Sequence, residues 1–161
     1  MKNMNRAVLM IAFACLTGGG LRAAEVTVDN VTDLTNQIAT IKSGSTIYLA
    51  KGRYDVSDCR GNLMGGYDKG LLGIPNGRQV TLAGAPGTVR GDVVIDAPDA
   101  TMRLLYINKG SLTCTNLTFT GSAGGAIHVG NQDAKIYLYD CVFSNLTADV
   151  AAAVSRSSRT T

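Results

Sequence analysis

Apolar residues in this chain fall in pairs spaced by two, and the pairs recur in a fixed order. Leu72 and Ile74 are followed by Val80 and Leu82, then by Val93 and Ile95. The order returns as Leu105 and Ile107, Leu112 and Cys114, Leu117 and Phe119. It returns again as Ile127 and Val129, Ile136 and Leu138, Cys141 and Phe143. A spacing of two is the period of an extended strand with one buried face, so each copy predicts three short strands. After the second pair stands Gly84, Asn116 or Asp140. Gly, Asn and Asp accept positive φ most readily, which a sharp corner between the second and third strand requires.

The three copies occupy residues 71–95, 104–119 and 126–143. Repeats of roughly 20 to 50 residues signal stacked architectures, so the pattern predicts an all-β solenoid of about three to four rungs. The turn-rich stretch from Ala85 through Pro86 and Gly87 to Asp92 lengthens the first copy without disturbing its strands. Ile47, Leu49, Tyr54 and Val56 form a less regular opening rung, with Gly52 at its bend. Ahead of it Val31, Leu34, Ile38 and Ile41 recur at helical spacing, with Asp29, Asn30 or Thr32 as N-cap and Gly44 beyond the end. A short helix there would cover the hydrophobic cross-section and strand edges of the first rung.

The N-terminal residues read as a leader. Lys2 and Arg6 precede the apolar run 7–16, and Leu21, Arg22, Ala23 and Ala24 follow a glycine stretch. This is the layout of a bacterial-type secretory signal peptide, cleaved after Ala23 or Ala24 and too short to anchor in a bilayer. Lipidation at Cys15 is the weaker alternative. The organisation is thus a signal peptide at 1–24, an N-terminal strand and capping helix at 25–45, rungs at 46–154 and a polar tail at 155–161. No later stretch is apolar for long enough to span a membrane as a helix, which points to a secreted or cell-surface protein.

Removing the leader changes the charge. Of 15 basic residues, Lys2, Arg6 and Arg22 lie in the first 24, leaving 12 against 12 acidic ones. A neutral chain without a basic stripe argues against nucleic acid as a partner. Three cysteines remain: Cys114 and Cys141, expected inward on different strands as unbridged core residues, and Cys59, expected as a loop thiol.

The segments Val80-Thr81-Leu82-Ala83-Gly84, Asp92-Val93-Val94-Ile95-Asp96 and 112–121 resemble the pectin lyase-like superfamily of right-handed parallel β-helices. That resemblance covers most of residues 46–154 and implies that fold. Gly124-Gly125-Ala126-Ile127 followed by Cys141-Val142-Phe143-Ser144-Asn145 is similar to the repeats of polymorphic outer membrane proteins, which alternate Gly-Gly-Ala-Ile with Phe-x-x-Asn. Phe143 and Asn145 stand one residue too close for that pattern, and Ala151-Ala152-Ala153-Val154 lacks the two glycines of a next copy. This second resemblance implies a passenger-like, noncatalytic scaffold meeting extracellular polysaccharides or host surface glycans.

Enzymes of the superfamily act on acidic polysaccharides with carboxylates, or with calcium and a basic residue. The paired Asp-Asp, Gly-His-Gly and Arg-x-Lys elements of its polygalacturonase branch are absent here. Asp92, Asp96 and Asp99 are close in sequence and could hold calcium, a hard cation that takes oxygen ligands; acids at strand ends are the plainer explanation. No other cofactor is expected. His128, the single histidine, falls at an outward position shared with Gly73 and Tyr106. With Arg103 and Lys109 nearby, Tyr106 and His128 could form a sugar-stacking, anion-tolerant strip, against the plain alternative of an ordinary exposed ladder. Asn30, Asn116 and Asn145 each begin a glycosylation sequon, though Asn116 is explained as a corner. After Val154 no capping element follows, so the last rung would offer an adhesive edge for self-association, or for rungs of a longer chain. The competing expectation is a fragment of a polysaccharide lyase or glycoside hydrolase whose catalytic rungs lie elsewhere.

Overall fold

A computed structural model describes residues 23–59 and 70–147. Most of the predicted leader, the 155–161 tail and the Ala151–154 run lie outside the described residues. Twelve strands and one helix follow in the order β1 (Glu25–Val28), α1 (Val31–Thr40), β2 (Ser45–Leu49), β3 (Gly52–Asp55), β4 (Leu72–Ile74), β5 (Arg78–Gly84), β6 (Val93–Ala100), β7 (Leu105–Ile107), β8 (Gly110–Thr115), β9 (Thr118–Ser122), β10 (Ile127–Val129), β11 (Ala134–Tyr139) and β12 (Val142–Ser144). They form three sheets: β1-β2-β5-β8-β11, β3-β6-β9-β12 and β4-β7-β10. Every pairing is parallel. From β2 onward the chain visits the five-stranded, four-stranded and three-stranded sheets in that order, circuit after circuit.

The registers are those predicted by the apolar pairs. Leu72, Leu105 and Ile127 are aligned, as are Val80, Leu112 and Ile136, and Ile95, Phe119 and Phe143. Their side chains point inward and form one continuous core, in which Leu82, Ile95, Leu105, Leu112 and Phe119 are wholly buried. Phe119 and Phe143 stack with centroids 5.2 Å apart and planes 14° apart, worth about 0.5–1.5 kcal/mol beyond area burial. Tyr54 is also inward, and its hydroxyl lies 2.9 and 3.0 Å from the Val28 and Ala50 carbonyls, sharing its one proton between them. Burial pushes its phenol up to about 12. One polar atom thus ties the first strand to the turn that follows β2.

The helix forms where its spacing placed it. Asn30 is the N-cap, accepting from the Asp33 amide at 2.8 Å, and Leu34 and Ile38 face the core. It packs on β1, β2 and β4, the last being the edge strand of the three-stranded sheet. The helix is too short and polar to cross a membrane, and no other is described.

Two expectations about bends are corrected. Asn116 and Asp140 are left-handed, at φ 55° and 50°, but Gly84, aligned with them, is not. In that circuit the longer connection to β6 takes up the turn, with Gly87 at φ 89°. Glycine serves at 84 for space: a Cβ there would fall 2.4 Å from Thr88 Oγ1 and 3.0 Å from the Asn116 carbonyl oxygen. Likewise Gly52 is no bend, since it opens β3 and pairs with Val93. A second set of left-handed residues, not anticipated, stands near the end of the third strand: Gly121 inside β9 and Asn145 just after β12, at φ 80° and 49°. The two glycines at 124 and 125 have separate causes. Gly125 has φ 92°, whereas a Cβ on Gly124 would sit 2.5 Å from Thr101 and Met102 backbone atoms.

Replacing Asn116 by Val should lower unfolding free energy by about 1–2 kcal/mol, the cost of a left-handed conformation for a residue with a bulky Cβ. Asn116→Gly should stay near wild type. Urea midpoints of the two variants check the pair; equal losses in both would mean the corner's φ is not what matters.

Candidate functional site

Three outward faces carry chemistry. On the three-stranded sheet, Gly73, Tyr106 and His128 are in register, as predicted. The Tyr106 and His128 rings lie 5.4 Å apart at 32°. Arg103, just before β7, places Nη1 2.8 Å from His128 Nδ1. A guanidinium only donates, so this contact makes Nδ1 the acceptor and assigns the ring proton to Nε2. Arg103, Tyr106 and His128 therefore do come together. Lys109 does not join them: it is exposed in the turn into β8, with no ion pair or side-chain hydrogen bond among the described residues.

The expected sugar-stacking strip is nevertheless corrected in one respect. Tyr106 is only 4% exposed. Gly70 and Gly130 close on it, since a Cβ at either position would come within 2.7 and 2.5 Å of Tyr106 atoms. The ring is wedged in place and offers a sugar almost no open face.

The four-stranded sheet carries Asp55, Asp96, Thr120 and Ser144 in one outward row, with Arg53 two residues before Asp55. Asp96 is 1% exposed and its Oδ2 accepts from Arg53 Nη2 at 2.5 Å, while its Oδ1 has no hydrogen-bond partner. Burial raises the Asp96 carboxyl above its ordinary value; the Arg53 hydrogen bond and charge oppose that, and the Asp55 charge adds to it. Asp55 shifts the other way, because Ser57 hydrogen-bonds it. Opposed shifts on adjacent carboxylates are the pattern of an acid and base pair. Asp96 is sealed from solvent, however, so a polymer outside cannot reach it.

The calcium expectation is not supported by the placement of Asp92 and Asp96. Four residues of extended chain hold their backbones about 13 Å apart, and each is taken by its own cation. Asp92 bonds Lys51 at 2.6 Å, and that contact, with the Val89 amide, lowers its carboxyl. The Asp99 side chain lies outside those described. Among the described residues no group of three His, Cys, Asp or Glu side chains gathers around a common point.

No family model matches this chain, and no curated protein matches it either.

The third face was not anticipated. On the five-stranded sheet the outward residues form columns: Thr46, Thr81, Thr113 and Tyr137 in one, Tyr48, Ala83, Thr115 and Tyr139 in the next. Tyr137 and Tyr139 are 44% and 56% exposed, and none of these hydroxyls hydrogen-bonds another described residue. The sequence carries this face as the polar member between the paired apolar residues, such as Thr81, Thr113 and Tyr137, whose exposure no local spacing records.

The thiols are also rearranged. Cys114 is inward and unbridged as expected, with the Cys141 sulfur 3.5 Å from its carbonyl. Cys59 lies in the connection between β3 and β4 as expected, but it is buried against the core, and burial pushes its thiol up to about 11. Asn30 and Asn145 join Asn116 in having structural duties, as helix cap and corner.

Because the folded protein binds the Asp96 proton more tightly than the unfolded chain, wild type should gain stability relative to Asp96→Asn as pH falls through the raised pKa. The gain should level off below 3.8. Urea titrations from pH 3 to 7 test this, and parallel curves would refute it. Iodoacetamide at pH 8 should label half-buried Cys141 faster than Cys59 and Cys114 in native protein; peptide masses report the order.

Proposed function

We propose that this chain is a right-handed parallel β-helix of the pectin lyase-like kind. In this reading it is exported by its N-terminal leader and serves outside the cell as a noncatalytic scaffold that contacts glycans. One observation carries the reading: strands from successive circuits pair in parallel and in register, so each outward position repeats at the same place in the next circuit. Such ladders suit a polymer, whose own groups repeat along its length. Chemistry is disfavoured because, among the described residues, the carboxylate pair with opposed shifts has a buried member, and Asp92 is engaged by Lys51.

The full chain expressed with its leader should appear in the extracellular or surface fraction, starting at Ala24 or Glu25. It should co-sediment with insoluble polysaccharide. Incubation with pectate, alginate or xylan, with and without calcium, should release neither reducing ends nor unsaturated products. Turnover of any of these polymers would replace the scaffold reading with an enzymatic one.

A further inference from the structure

We propose that the outward face of the five-stranded sheet is the glycan-contacting surface, and that it takes an uncharged polysaccharide chain lying across the strands. The inference rests on the reading above and names its ligand class and site.

Three properties of the face point the same way. Its middle is neutral: between Glu25 at one end and Lys135 at the other, the aligned outward positions are Thr, Ser, Ala, Gln and Tyr. An acidic polymer finds no paired cations there, whereas a neutral sugar meets hydroxyls that donate and accept without a desolvated charge. Second, Thr81, Thr113 and Thr115 lie on strands about 4.8 Å apart, and the five strands span about 19 Å. That is room for several sugars of an extended chain, each meeting an equivalent hydroxyl. Third, Tyr137 and Tyr139 stand side by side at one end with large exposed areas. Aromatic rings beside polar groups are the usual apolar platform for the C–H face of a sugar, and a rigid ring loses little entropy on binding. Ala83 leaves a shallow step in the Tyr139 column, so the Thr81 and Thr113 column is the continuous track.

The exposed tyrosines are not core residues, so their replacement leaves the fold intact. The full chain is run in native affinity gels containing hydroxyethylcellulose or xylan as neutral probes and polygalacturonate as the acidic one. Wild type should be retarded by a neutral probe with little response to salt. Tyr137→Ala with Tyr139→Ala should weaken that at least tenfold, and Thr113→Lys should weaken it as well. Val89→Ala, an exposed apolar residue in the connection between β5 and β6, should leave binding unchanged, and thermal midpoints confirm that each variant is folded. Neutral binding that survives the tyrosine and Thr113 substitutions overturns this face while leaving the scaffold reading in place. Salt-sensitive binding to polygalacturonate alone also overturns it. Failure of wild type to bind any of the three polymers overturns both.

Discussion

The structure depends on parallel backbone pairing between circuits held in exact vertical alignment by the apolar columns. A slip of one residue would turn Leu82, Leu112 and Phe119 outward and their polar neighbours inward. Register is therefore locked wherever an inward column is continuous. Close approach between circuits follows from it, and so do the glycines at 84, 110 and 124, where a Cβ would strike the backbone of the neighbouring circuit.

Alignment also gathers outward residues of different circuits into rows. A residue with no chemical distinction alone, such as Thr113, becomes one element of a column with Thr46, Thr81 and Tyr137. The same rule brings Asp55 beside Asp96, and sets Tyr106 on His128. These three rows differ in what surrounds them. Asp96 and Tyr106 are enclosed, so their polarity and aromaticity serve the protein itself, whereas Tyr137 and Tyr139 are exposed and Thr46, Thr81, Thr113 and Thr115 are half-buried.

Much of this was legible in the residue pattern because inward columns obey a strict period of two. The apolar pairs follow from periodicity and the corners at Asn116 and Asp140 from conformational preference, while the helix cap was narrowed only to Asp29, Asn30 or Thr32. Gly84 misled for the opposite reason: glycine answers to both backbone conformation and space, and the two demands look alike in a sequence. The burial of Cys59 was not legible, because its polar neighbours Asp58 and Arg60 mark a loop correctly but say nothing of the core cluster that the loop joins. Nor could spacing reveal that Asp92 and Asp96 are claimed by Lys51 and Arg53, which lie 41 and 43 positions earlier in the chain.

The sequence by itself determined which members of the apolar pairs face inward, the corners at Asn116 and Asp140, and that the circuits repeat, since periodicity and left-handed φ are properties of short segments. Tertiary structure alone decided accessibility: that Tyr106 is wedged between glycines, that Asp96 is sealed beneath Arg53, and that Tyr137 and Tyr139 stand open beside a hydroxyl track. Exposure depends on what packs alongside from remote parts of the chain, and no local pattern records that.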